Sequence, residues 1–181
     1  MGKIIESTYV TLDGVMEDPQ LWSFDYFDPS AMEFAAGLLR RSDAMLMGRR
    51  TYDGFAEAWT QRSGDEFSDK FNSMKKYVAS TTLKDPTWNN TTVLGSDVAG
   101  EVAALKEETD GDIVMYGHGP VARLLLEHNL LDEIHLWIHP LFWGKGASED
   151  ILFRPSAEAR LQLADTKVLG SGVVILTYTP A

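Results

Sequence analysis

Cysteine is absent from the 181 residues, which excludes disulfides, thiolate metal sites and thiol nucleophiles. A reducing, cytoplasmic setting is expected for such a chain. Apolar runs are short, and none approaches the roughly 18–20 consecutive residues that a membrane-spanning helix needs. The first residues, Met1-Gly2-Lys3-Ile4, lead into a strand pattern without the charged and apolar stretches of a secretory leader. Basic residues are scarce. With 16 Lys+Arg against 27 Asp+Glu the formal net charge is −11, a field that disfavours nucleic acid and anionic membranes as partners. An anionic small ligand therefore needs a seat that is locally basic or lined by amides. No serine has a Gly-x-Ser-x-Gly setting, so acyl transfer has no support. Linkers, repeats and low-complexity tracts are also missing, and with 44% hydrophobic residues one domain over 1–181 is expected.

What is present is an alternation of strand-like and helix-like segments. Lys3–Leu12, rich in Ile, Thr, Tyr and Val, reads as a strand ending at Asp13-Gly14. A polar and aromatic loop over 15–28 follows. Pro29-Ser30 then opens a helix with Ala31, Phe34, Ala35 and Leu38 on one face. Strands are expected at Asp43–Met47, Tyr77–Ser80, Thr91–Leu94 and Asp112–Tyr116, and helices at Arg50–Trp59, Asp65–Met74, after Ser96-Asp97, and from Pro120. Late strands are expected at Glu133–His139, Leu161–Leu169 and Val173–Thr179, the last two joined by Gly170-Ser171-Gly172. The pattern predicts an α/β fold: a mixed, mostly parallel central sheet with helices on both faces and an antiparallel C-terminal hairpin.

Three strand ends carry the residues a phosphate would seek. Gly48-Arg49-Arg50-Thr51 offers amides at a helix start, a hydroxyl and two guanidiniums. Ser80-Thr81 offers hydroxyls. Gly117-His118-Gly119-Pro120-Val121 is a glycine-rich turn that lets a ligand approach the backbone. Each has a plain alternative: a solvated helix start, a β-turn, a tight connection. Their agreement favours a ligand site, because ligands of open α/β sheets bind beyond the carboxyl ends of the strands. Gly117, Gly119 and Ala122 also match a loose dinucleotide fingerprint, but the next strand ends at Ile138-His139-Pro140 without the carboxylate that a Rossmann site requires.

Taken in order, these segments resemble the dihydrofolate-reductase superfamily, in particular the reductase domain of bifunctional riboflavin-biosynthesis proteins and its stand-alone relatives. The resemblance rests on Thr11-Leu12-Asp13-Gly14-Val15, Met47-Gly48-Arg49-Arg50-Thr51-Tyr52 with Trp59, Tyr116-Gly117-His118-Gly119, and Asp132-Glu133 leading to His139-Pro140 and Gly144-Lys145-Gly146. It implies NADPH as cofactor, with its pyrophosphate at Gly48 to Thr51 and Gly117 to Val121, its 2′-phosphate facing Ser80 and Thr81, and its nicotinamide beside Tyr9 to Leu12. It implies an NADPH-dependent oxidoreductase acting on a small, heterocyclic (pterin-, pyrimidine- or flavin-like) substrate. Tyr9, Asp13, Trp22 and Glu33 are the expected pocket residues. The alternative is a nucleotide-binding protein of the same fold without turnover. One departure matters: where dihydrofolate reductases carry a carboxylate on the first helix, this chain has Met32, and Glu33 next to it is turned about 100° away.

No metal site is expected. His135 and His139 lie on an alternating strand, where four residues span about 13 Å, too far for one ion, and they are expected at a surface or an interface. The aromatics of the 22–27 segment either cap a ligand pocket or anchor the loop. A homodimer is expected from Trp137, Leu141, Phe142 and Trp143, because Trp137 points away from the core that Ile134, Leu136 and Ile138 enter. A helix lying over that face is the competing explanation.

Overall fold

A computed structural model describes residues 2–147, 151–152 and 158–181. Its eight strands are β1 (Ile4–Thr11), β2 (Ser42–Gly48), β3 (Lys75–Ala79), β4 (Thr91–Leu94), β5 (Asp112–Tyr116), β6 (Glu133–His139), β7 (Leu161–Val168) and β8 (Val174–Pro180). They form one sheet in the order β4-β3-β2-β5-β1-β6-β8-β7. β1 to β6 run parallel, while β8 pairs antiparallel with both β6 and β7. The mixed α/β fold expected from the sequence is the one observed. Five α-helices connect the strands: α1 (Pro29–Arg41), α2 (Arg49–Trp59), α3 (Glu66–Ser73), α4 (Val98–Glu108) and α5 (Pro120–Glu127).

Crossover helices cover the central strands on both sides, so β1 is buried almost throughout rather than alternating with polar positions. One core joins Ile4, Leu46, Ile113 and Met115 to Val102 of α4 and to Ala122 and Leu125 of α5. The opposite core joins Ile5, Met45, Met47 and Val114 to Leu38 of α1, Tyr52 of α2 and Phe71 of α3. A third cluster packs Ala31, Phe34 and Ala35 of α1 against Trp137 and Ile175.

Three details correct the sequence reading. β3 begins at Lys75 and stops before Ser80, because Lys76 is fully buried. Its ammonium donates to the carbonyls of Asn72, Met74 and Asn89 (3.2, 2.8 and 3.1 Å) and lies over the Trp88 ring. A lysine so satisfied reads as surface in a sequence. Second, Trp137 is only 1% exposed. α1 covers it, and its indole N–H donates to Ser7 Oγ at 3.1 Å, so it needs no partner chain for cover. Third, His135 and His139 are each 3% exposed rather than on a surface, since His135 lies against Phe34 of α1 and His139 against Trp22 and Tyr26 of the 15–28 loop. Burial holds both imidazoles below their ordinary range. Among the described residues no helix is long and apolar enough to cross a membrane.

Candidate active site

The strand order decides which distant segments meet. β3, β2, β5 and β1 are consecutive in the sheet, so their carboxyl ends bring Ser80, Gly48, Gly117 and Tyr9 to one edge. From β2 the chain turns into α2 on one face, and from the adjacent β5 it turns into α5 on the other. That divergence opens a crevice at a topological switch point, where open α/β sheets bind ligands.

The helix starts at this crevice differ from the rest. α1, α3 and α4 are capped by Asp28, Asp65 and Asp97, whose carboxylates accept the first free amides. α2 and α5 start at Gly48 and Gly119 with no side-chain cap. These two starts are neighbours: a β-carbon built on Gly48 would lie 3.5 Å from Val121 Cγ2. Gly117 has φ +78°, a conformation costly for other residues, and added β-carbons at Gly117 and Gly119 would face open space. Amides, positive helix ends and bare backbone fit a pyrophosphate.

The charged side chains are less simply arranged. Arg49 donates to both oxygens of Asp53 at 2.9 Å, and Arg50 reaches Glu17 of the 15–28 loop at 3.5 Å. Thr51 is half-buried in the first turn of α2. Ser80 Oγ accepts the amides of Thr82 and Leu83 (3.2 and 3.0 Å), which shapes the turn after β3 and leaves Thr81 exposed. Pro120 supplies the first residue of α5. His118 packs inward, with Nδ1 3.1 Å from each carboxylate oxygen of Glu6.

The predicted substrate residues separate into groups. Tyr9 lies 5.1 Å from Trp137 and 5.0 Å from His139, ring centre to ring centre, and Trp22 and Tyr26 meet His139 edge-on. Burial pushes the Tyr9 hydroxyl well above its ordinary value, so it stays a proton donor. Trp22 is buried, with its indole N–H on the Glu17 carbonyl, whereas Phe24 is 71% exposed. The loop aromatics thus mainly anchor. Asp13 is engaged elsewhere: its carboxylate accepts Thr11 Oγ1–H at 2.5 Å and the amides of Trp143 and Gly144 at 3.0 and 2.7 Å. The Thr11 bond and the two amides lower its pKa to about 2. Glu33 is not brought to Tyr9; it is ion-paired with Arg40 and borders a cavity of about 520 Å³ whose lining includes Arg41, Glu133 and His135. Arg41 ends α1 and Glu133 begins β6, so this cavity lies away from the glycine turns.

Two further side chains stand out: Tyr116, named in the sequence only as the lead-in to the glycine turn, and Glu6, which the sequence reading missed. Tyr116 ends β5, stacks on Phe55 at 5.3 Å, and has its hydroxyl raised by burial and by the neighbouring Tyr9. Glu6 is a buried carboxylate in an otherwise uncharged strand, and that charge in a Val/Ile/Thr-rich run is its one visible signal.

The model of the RibD C-terminal domain matches residues 2–175. The chain belongs to the RibD C-terminal domain family. The uncharacterized protein YyaP of Bacillus subtilis (strain 168) is 29% identical over 183 residues, covering 97% of this chain and 94% of YyaP. Among solved structures, a protein provisionally assigned to riboflavin biosynthesis from Shewanella sp. PV-4 superposes with a TM-score of 0.77 at 19% identity, covering 99% of both chains. A diaminohydroxyphosphoribosylaminopyrimidine deaminase/5-amino-6-(5-phosphoribosylamino)uracil reductase from Thermotoga maritima superposes with a TM-score of 0.68 at 16% identity, covering 99% of this chain and 57% of that one. At these identities the structural likenesses concern the fold.

Proposed function

We propose that this RibD C-terminal domain protein is an NADPH-dependent reductase of a small heterocyclic substrate of pterin, pyrimidine or flavin type. The observation that carries the proposal is the pair of uncapped glycine helix starts, Gly48 and Gly119, side by side at the switch point between β2 and β5. In this reading their amides and the Gly117 turn hold the pyrophosphate, with Arg49, Arg50 and Thr51 at the rim. His118, Pro120 and Val121 form the wall, and Ser80 and Thr81 face the 2′-phosphate. NADPH, when bound, supplies the hydride. The chain's own part is to orient and to exclude water. Tyr9 and Tyr116 offer neutral hydroxyls as donors to a substrate ring, and Trp22 and Tyr26 close the side next to His139. Asp13 serves by pinning the Trp143–Gly144 segment to the end of β1.

Two observations favour a second reading, a nucleotide-binding protein without turnover: Glu33 is tied to Arg40 outside the crevice, and Asp13 is committed to backbone amides. Fluorescence titration with NADPH followed by NADPH-oxidation assays on pterins, pyrimidines and flavins separates the two. Binding with oxidation supports the reductase; binding without oxidation on every class supports the second reading; no binding overturns both.

The proposal includes a cytoplasmic location, consistent with the absence of cysteine, and one domain, since a single sheet takes strands from Ile4 to Pro180. It also retains the homodimer, now on a different surface. The β6-β8-β7 face opposite α1 presents Leu136, Ile138, Leu163, Val168, Val174 and Leu176, all half-buried or exposed.

A further inference from the structure

Glu6 has no part in the reading above. It lies on β1 between Met115 of β5 and Ile134 of β6 and is 1% exposed. A leucine would serve the core there, whereas a buried charge is costly unless paired and hydrogen-bonded. Glu6 is both. Thr8 Oγ1 donates to it at 2.8 Å, and His118 Nδ1 stands 3.1 Å from each of its oxygens. His118 sits between Gly117 and Gly119, in the turn whose bare backbone forms half of the phosphate seat. A charge on the central strand is thus coupled to a turn 112 residues later in the chain.

We infer that Glu6 is a positioning residue for the phosphate seat: it holds the His118 ring, and with it the Gly117–Gly119 turn, in the arrangement that receives the ligand. A carboxylate behind a histidine commonly fixes the ring's orientation and tautomer in this way. The turn needs such help because Gly117 and Gly119 bring no side chains of their own to restrain it. The inference rests on the phosphate seat proposed above and adds a residue that touches neither ligand nor backbone of the turn.

The test is a double-mutant cycle read by NADPH titration, with thermal melts as a check on folding. Glu6→Leu is expected to raise the Kd for NADPH tenfold or more while the protein stays folded, and His118→Ala to raise it comparably. Glu6→Leu added to His118→Ala should cost nothing further. Glu6→Gln keeps an acceptor for Nδ1–H and is expected to stay within about threefold of wild type, the kind of rescue that mere filling of the core would not require. Wild-type affinity in Glu6→Leu, multiplying effects in the double mutant, or a Glu6→Gln as weak as Glu6→Leu each overturn the inference. If Glu6→Leu does not fold, His118→Asn against His118→Ala decides. The Asn amide can still donate to Glu6, so retained affinity in Asn alone supports the inference and equal affinities overturn it. A wild-type protein that does not bind NADPH removes the phosphate seat itself, an outcome distinct from all of these.

Discussion

At the scale of single residues, the arginines that open α2 pose a competition that magnitudes can settle. Arg49 and Arg50 already contact Asp53 and Glu17, but both guanidiniums are solvent-exposed, and exposed ion pairs are worth about 0–1 kcal/mol. A charge-assisted bond to a phosphate is worth about 1.5–3 kcal/mol, so a phosphate bound at the proposed seat would compete with the carboxylate for the guanidinium. Replacing the phosphate-facing arginine with Ala should therefore raise the Kd for NADPH about tenfold to hundredfold, and its neighbour, turned about 100° round the helix, should matter much less. Titration of each single mutant checks this, and wild-type affinity in both would remove the arginines from the seat. Preference for NADPH over NADH should shrink in Thr81→Val. Thr81 is the cleaner choice because Ser80 Oγ also holds the turn amides of Thr82 and Leu83. Legibility at this scale follows chemistry. Arginine beside glycine at a helix start is a local pattern that suggests an anion seat, whereas His118 and Trp143, the distant partners of Glu6 and Asp13, lie 112 and 130 residues away in sequence, and no local pattern encodes them.

At the scale of elements, the contrast between capped and uncapped helices is open to direct manipulation. Gly48→Asp gives α2 the cap that Asp28 gives α1, and the added β-carbon meets only Val121 at ordinary contact distance. The melting temperature should hold or rise slightly, while NADPH binding should fall at least a hundredfold because a carboxylate occupies the seat. A variant that binds normally would show that the α2 amides take no phosphate. The connection between α3 and β3 has its own determinant in Lys76. Lys76→Met leaves three carbonyls without their donor, that of Met74 buried, and should cost about 2–4 kcal/mol, measured by denaturant unfolding. The pH dependence has a definite sign. Burial lowers the Lys76 pKa to about 8 from an ordinary value of 10.5, so between those values the unfolded chain binds the extra proton. Lys76 should therefore make stability rise with pH from about 8 to 10.5, at up to about 1.4 kcal/mol per pH unit, a rise that Lys76→Met should abolish. Periodicity located these elements well. It placed the start of β3 two residues late because a buried ammonium is invisible to any hydrophobic pattern.

At the scale of the whole molecule, the proposed dimer rests on a different surface from the one the sequence suggests. Trp137 turned out to be covered by α1, because an edge-ward strand in an α/β sheet can be roofed by a helix from far upstream. On the opposite face of β6, β8 and β7, Ile134 and Tyr178 join the core cluster of α4 and α5, whereas Leu163 and Val168 are 51% and 70% exposed. Sedimentation at micromolar concentration should give about twice the 20.1 kDa chain mass, and Leu163→Glu with Val168→Glu should return it to the monomer. A wild-type monomer at that concentration would remove the dimer. The sequence by itself determined the α/β alternation, the two glycine-led helix starts and the family resemblance, since each is a local matter of period, backbone freedom and residue chemistry. Only the tertiary structure decided that β3, β2, β5 and β1 lie side by side, so that four distant segments share one crevice. It alone tied Glu6 to His118, kept Glu33 out of the crevice and buried Lys76. Those outcomes depend on strand order and on the facing of neighbouring elements, which pairwise packing over the whole chain sets and no stretch of residues contains.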